Sequence, residues 1–148
     1  MKILVVASQS LDAEEPVRIV GDRVDLSASK LTLDKMDEYG VEESLRLREA
    51  GLEAEIVVVG AGSGDLQSSI RTALALGADR AVHIRAEDPG DVLATGNAIA
   101  AICQQEQADI VFVGGQQGAL DTHALGPVIA ERLSWPQVTW VTALEWDA

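Results

Sequence analysis

Asp109-Ile110-Val111-Phe112-Val113, then Gly114-Gly115-Gln116-Gln117-Gly118-Ala119-Leu120-Asp121-Thr122-His123-Ala124-Leu125-Gly126-Pro127, is the stretch whose reading decides the fold. An unbroken apolar run passes into a glycine-rich loop, and the loop into a helical pattern from Val128 to Leu133. Strand, glycine-rich loop and helix in that order mark the carboxyl end of a parallel sheet, where helix N-terminal amides hold nucleotides.

The same alternation extends in both directions. Strands are expected at Lys2–Ala7, Ala54–Val59, Arg80–Ile84, Asp109–Val113 and Gln137–Leu144, and helices near Lys35–Ala50, Asp65–Leu76, Asp91–Gln107 and Asp121–Leu133. Continuous Val, Ile and Leu in the strands suits a sheet covered on both faces. Gly51 and Gly77 stand where a helix wants a left-handed terminal residue. Asp65 and Asp91 stand where a side-chain oxygen can cap the first helical amides. Leu66, Ile70, Ala73, Leu74 and Gly77 form one stripe of an amphipathic helix. Between the first strand and the first helix, Val17 to Leu26 holds two short strand-like runs around Gly21-Asp22, the pattern of a small hairpin. The expectation is therefore an α/β fold of three layers, αβα. Its sheet is doubly wound and mostly parallel, of about five strands, and adenine-nucleotide-binding-like. A hairpin follows strand 1, and residues 1–148 form a single domain.

The totals agree with one globular domain. The chain has 148 residues, 47% of them hydrophobic, and only 3% aromatic, so its core must be aliphatic. A net charge of −13 argues against nucleic acid or an anionic membrane surface as partner, because either would need a basic face. Cys103 is the single cysteine, which excludes an intrachain disulfide and cysteine-rich metal sites; its apolar neighbours point to a buried, inert thiol. The chain begins directly on a strand without a signal-peptide pattern, and no apolar run approaches membrane-spanning length. The expected location is cytoplasmic.

Few residues carry chemistry. Gly114, Gly115 and Gly118 let backbone approach a ligand, Gln116 and Thr122 offer neutral hydrogen bonds, and Asp121 suits a helix cap or a hydroxyl ligand. No Lys or Arg lies between Gly114 and Glu131, so a phosphate there would depend on backbone dipoles. Val59-Gly60-Ala61-Gly62-Ser63-Gly64-Asp65 looks like part of a dinucleotide fingerprint but lacks its spacing, and a tight turn explains it equally well. His123 with Asp121 has the residue types of a base and its orienting carboxylate. Nothing supplies a nucleophile, a second carboxylate or metal ligands, so no catalytic residue is assigned and the protein is not expected to be an enzyme. His83 reads as structural. Trp135-Pro136 reads as packing at the sheet end, and Trp140 and Trp146 as the interface side of an edge strand.

Four blocks carry a family resemblance: Lys2 to Val6; Asp37-Glu38-Tyr39-Gly40-Val41-Glu42-Glu43-Ser44-Leu45-Arg46-Leu47; Ile70 to Ala81; and Leu133-Ser134-Trp135-Pro136-Gln137. In order and spacing they resemble the N-terminal part of the beta subunit of electron-transfer flavoprotein. The resemblance implies an α/β domain paired with an alpha subunit. It implies electron relay from dehydrogenases through a flavin (FAD) shared with that subunit, and AMP in the beta subunit itself. The family's nucleotide loop is matched at Gly114, Gln116, Asp121 and Gly126, and with Ala7, Gly62 and Thr122 these are the expected cofactor-binding residues.

Departures from the family pattern fall on the phosphate end. Gly115 stands for a lysine, His123-Ala124-Leu125 for Asn-Gln-Thr, Asp34-Lys35-Met36 for Asn-Pro-Phe, and Ser8-Gln9-Ser10 for Lys-Arg-Val. Each charge-assisted hydrogen bond lost is worth roughly 1.5–3 kcal/mol, so the AMP site should be weakened. Two alternatives follow. One is a small adenine-nucleotide sensor resembling universal stress proteins, although Gly115-Gln116-Gln117-Gly118 lacks their later Gly-Ser/Thr pair. The other is an interaction module with a degenerate nucleotide site, a homodimer if isolated.

Overall fold

The computed structural model describes residues 1–12, 14–25, 27, 29–87, 91–116 and 122–146. Its centre is a parallel sheet of β1 (Lys2–Val6), β6 (Glu55–Gly62), β7 (Arg80–Arg85) and β8 (Ile110–Phe112), in the order β7-β6-β1-β8. Alternate residues of each strand face opposite layers. Ile3, Val5, Ile56 and Val58 pack with Val41 and Leu47 of α1 (Lys35–Glu49) and Ala73 of α2 (Gln67–Leu76). Leu4, Val6 and Val59 pack with Ile99 and Cys103 of α3 (Val92–Glu106) and Ile129 of α4 (Leu125–Leu133). The expected three-layer, doubly wound architecture is present, and its core is aliphatic.

The hairpin insertion is present and larger than its sequence suggests. β3 (Ile19–Val20) and β4 (Arg23–Val24) pair antiparallel across Gly21 at φ +66°, a left-handed turn residue. Nearer the body, β2 (Gln9–Leu11) pairs antiparallel with β5 (Leu31–Leu33), so the connection from β1 to α1 forms one two-tiered arm. Leu31-Thr32-Leu33 is too short to stand out as a strand by alternation alone.

Helix boundaries follow the expected chemistry with two exceptions. Asp91 caps α3, its carboxylate accepting from the Ala94 amide at 2.9 Å, and Gly51 and Gly77 take left-handed φ after α1 and α2. Asp65 does not cap α2. It lies within a 3-10 turn, Gly64–Leu66, which gives the early amides backbone partners before the α-helix begins. The last helix starts at Leu125 instead of Asp121, and Asp121 and Gly118 lie outside the described residues.

The expected strand Gln137–Leu144 does not form. The neighbour it would pair with, β8, offers only three residues, and Trp140 adopts φ +57°, which breaks an extended run. The segment instead crosses from one layer to the other. Trp135 packs on the α3–α4 side, as expected of a packing residue, while Leu144 packs on the α1 side and its carbonyl accepts from Arg46 Nη2 at 3.0 Å. Among the described residues no helix is long and apolar enough to cross a membrane.

Candidate functional site

Strand order reverses between β1 and β8, since β6 and β7 lie on one side of β1 and β8 on the other. The carboxyl ends of these two strands therefore open the crevice in which doubly wound sheets bind ligands. A fully buried carboxylate, Asp37, sits in this crevice in the first turn of α1. Its Oδ2 accepts from the Ser8 amide (2.8 Å) and hydroxyl (2.6 Å), just past β1, and its Oδ1 accepts from the Gly114 amide (3.0 Å), just past β8. Asp34 completes the arrangement. Its amide donates to the Ser8 carbonyl at 3.0 Å, and its carboxylate caps α1 through the Met36 amide at 2.9 Å. Asp37 and Glu38, the acids of the first turn, also suit the positive end of the helix dipole.

Packing brings α1 close enough for this. A Cβ on Gly40 would lie 3.1 Å from Val5 Cγ1 and 3.3 Å from Phe112 Cβ, so α1 rests directly over β1 and β8 at that point. Gly114 is constrained more tightly, because a Cβ there would fall 2.5 Å from Asp37 Oδ1. The glycine that opens the loop is thus required by the protein's own carboxylate. Asp37 had no role in the sequence reading beyond its place in a family block. The signal that could have found it is Asp34-x-x-Asp37 ahead of a helical apolar pattern, a relative of the capping box.

Of the remaining candidates, Ala7 is buried at the end of β1, its amide donating to the Val59 carbonyl at 2.8 Å. Gly62 ends β6, on the far side of β1 from Gly114. Its carbonyl accepts from Nε2 of His83, whose Nδ1 is buried with no partner among the described residues. Gln116 and Thr122 are exposed beside the loop, and the Thr122 hydroxyl reaches the Ala124 amide only at 3.4 Å. Gly126 lies in the first turn of α4, where a Cβ would make an ordinary 3.9 Å contact with Val113. The structure brings Gly114 together with Ser8 past the end of β1, and places Gly62 at the end of the neighbouring strand, across β1 from Gly114.

His123, at φ +53°, turns its Nδ1 to the Gly115 carbonyl at 2.9 Å; a carbonyl only accepts, so Nδ1 carries the proton. The imidazole stacks on Trp140 with ring centroids 5.5 Å apart. His123 therefore ties the crossing segment to the loop. Cys103 is buried beneath α4, and burial pushes its thiol up to about 11, well away from a reactive thiolate.

The donors gathered in the crevice are neutral, two amides and a hydroxyl, and Asp37 takes up those of Ser8 and Gly114. Lysines on nearby elements are paired elsewhere, Lys35 with Glu38 and Lys30 with Asp12. Among the described residues, a phosphate would meet the amides that open α4.

Comparison with known proteins gives concordant results. The profile of the Electron transfer flavoprotein domain matches residues 24–148. The chain is 36% identical to "Electron transfer flavoprotein subunit beta" of Bradyrhizobium diazoefficiens over 147 residues, covering 98% of this chain and 59% of that protein. It is 38% identical to the mitochondrial "Electron transfer flavoprotein subunit beta" of Oryza sativa subsp. indica over 148 residues, covering 96% of this chain and 58% of that one. It is 32% identical to the Homo sapiens "Electron transfer flavoprotein subunit beta", covering 96% and 58%. The chain thus spans about three-fifths of the length of these relatives.

Proposed function

Since the chain belongs to the electron transfer flavoprotein domain family, we propose that it serves as the beta-type subunit of an electron carrier, a single non-enzymatic domain over residues 1–148. The observation that carries this reading is the match of 125 of 148 residues (24 through 148) to the family profile. In it, an alpha subunit shares the flavin, a dehydrogenase delivers electrons to the complex, and the location is cytoplasmic. The contribution of this chain is a rigid body that presents the crevice between β1 and β8.

The adenine nucleotide of this reading would be held by Ala7, Gly62, Gly114, Gln116, Thr122 and Gly126, with Asp121 on the same loop. A bound AMP would be a structural filler of the crevice. With no Lys or Arg in the loop, phosphate adds little affinity, so AMP and adenosine should bind within about tenfold of each other, a difference near 1.4 kcal/mol. A second reading is favoured by Gly114, whose requirement comes from Asp37: the loop is kept for packing and the nucleotide site is degenerate.

Two measurements decide between them. Purified protein mixed with the alpha subunit should form a flavin-containing complex by size-exclusion chromatography with absorbance near 450 nm. Absence of any complex overturns the electron-carrier reading. Calorimetry with AMP and adenosine should give similar, weak affinities. Binding of neither at millimolar concentration leaves the degenerate site, and AMP bound a hundredfold tighter than adenosine overturns the argument from the missing cations.

A further inference from the structure

The stack of His123 on Trp140 ties the crossing segment to the glycine-rich loop, and packing alone does not account for it. Among the described residues, four that are not glycine take left-handed φ. Gln107 and Ser134 do so at the C-terminal caps of α3 and α4, where such a turn is an ordinary way to end a helix. The other two are His123 at +53° and Trp140 at +57°, the two members of the stack. For a side chain as bulky as tryptophan this backbone is rare and unfavourable, and it persists only where the surroundings hold it. Neither helix termination nor burial supplies the reason here, since Trp140 is 81% exposed even with the imidazole resting on it.

The arrangement presents aromatic surface instead of hiding it. The imidazole is fixed from behind by its Nδ1–H, which donates to the Gly115 carbonyl, and the indole lies on it with centroids 5.5 Å apart and planes inclined by 29°. That separation is typical of paired rings, and the greater part of the indole stays open. Val138 and Val141, on either side of Trp140 in the chain, are exposed as well, so the border of the open ring is apolar. The same loop has little else to offer a ligand. Its Gly114 amide is already taken up by Asp37, and no Lys or Arg lies between Gly114 and Glu131. Stacking on a fixed indole needs neither charge nor a free amide, because every flat heteroaromatic ring has a face to lay against it.

We propose that Trp140, backed by His123, is a stacking platform for a flat heteroaromatic ring at the mouth of the β1–β8 crevice. This rests on the nucleotide reading above and deepens it: the ring, not the phosphate, is the part of the ligand that this chain grips. Two rings share that chemistry, the base of an adenine nucleoside and the isoalloxazine of a flavin. His123 is a positioning residue in this arrangement, since it holds the indole at a set distance from the loop without meeting the ligand's free face.

The test is titration of the whole chain with adenosine, riboflavin and ribose 5-phosphate, followed by the indole N–H resonances of its 3 tryptophans in nitrogen-15 NMR. The Trp140 resonance is the one missing from Trp140→Phe. Adenosine or riboflavin should move it upfield, as a ring stacked above it requires, and whichever binds more tightly identifies the source of the ring. Ribose 5-phosphate should leave it in place. Calorimetry should then show that ligand bound at least about tenfold more weakly by Trp140→Ala and Trp140→Leu, and bound nearly as well by Trp140→Phe. The leucine variant separates stacking from apolar bulk, and thermal unfolding verifies the fold of each variant. If a ring ligand binds the unaltered chain and Trp140→Ala equally well, the platform is overturned while the nucleotide reading stands. If ribose 5-phosphate moves the Trp140 resonance as far as adenosine does, the ring is not what is recognised and the platform is overturned. If neither adenosine nor riboflavin binds the unaltered chain at millimolar concentration, the platform and the nucleotide reading fail together.

Discussion

At the amino end of the sheet Lys2, Glu55, Arg80 and Glu106 share their charges in a partly exposed cluster, whereas at the carboxyl end one buried carboxylate, Asp37, gathers the ends of β1 and β8. The cluster is redundant. Arg80 and Lys2 each contact both glutamates, so removing one member leaves the others paired. Water and salt reach it, and exposed ion pairs of this kind contribute little individually. Asp37 has no such reserve. Three donors, from half-buried Ser8 and Gly114, converge on its fully buried carboxylate, and removing it leaves all three without this acceptor. The number of charges is therefore a poor guide to which end carries the stability.

The largest expected effect is at Asp37. Asp37→Ala should lower unfolding free energy by about 3–4 kcal/mol, a large share of what a domain of this size possesses. Asp37→Asn keeps one accepting oxygen and should cost about half as much. Urea unfolding with a tryptophan signal measures both. A loss below about 1 kcal/mol for the alanine variant would mean that the Ser8 and Gly114 amides find water, and the contrast between the two ends would collapse.

Gly114→Ala comes next, at about 1–3 kcal/mol, because the new methyl meets Asp37 Oδ1 at 2.5 Å and Met36 Cβ at 2.9 Å. The informative measurement is the double variant. Asp37→Ala removes the closest atom, so Gly114→Ala should cost about 1 kcal/mol less in that background. Strict additivity would show that the glycine is kept for some reason other than its carboxylate.

At the amino end, Glu106→Gln should cost about 1 kcal/mol at neutral pH and less in molar salt. The Arg80 guanidinium, with Lys2 behind it, holds the Glu106 carboxyl down to about 2, below its ordinary 4.5. A lowered folded value means that the stabilisation is fully present above the ordinary value and is lost as pH falls toward 2. The stability difference between the parent and Glu106→Gln should thus be constant above about pH 5 and shrink below it. A difference independent of pH down to 2 would remove the ion pair as its cause.

These two ends differ in the same way in how far the sequence discloses them. The strands β1, β6, β7 and β8 are legible because both their faces are covered, so their apolar runs are continuous and unambiguous. Asp91, Gly51 and Gly77 are legible because capping is local chemistry. Asp37 was hidden because its partners, Ser8 and Gly114, are distant in the chain and meet only once β1 and β8 are side by side. Asp65 misled for the opposite reason: a correct capping residue was pre-empted by a 3-10 turn. Gln137–Leu144 has the composition of a strand, but a strand also needs an edge to pair with, and the three residues of β8 do not offer one of matching length.

The crossing segment supplies the smallest effect and tests whether the carboxyl end depends on anything besides Asp37. Trp140 is 81% exposed, with its ring stacked on His123, so it covers little apolar surface. Trp140→Ala should change unfolding free energy by at most about 0.5 kcal/mol, the range of exposed substitutions. It should nevertheless loosen the loop that His123 holds through the Gly115 carbonyl, because the imidazole loses the surface it rests on. Hydrogen exchange separates the two quantities. The Gly114 amide, bonded to Asp37, should stay protected, while amides from Thr122 to Ala124 exchange faster. If the Gly114 amide also loses protection, the crossing segment and the buried carboxylate act as one unit, and the carboxyl end is as distributed as the amino end.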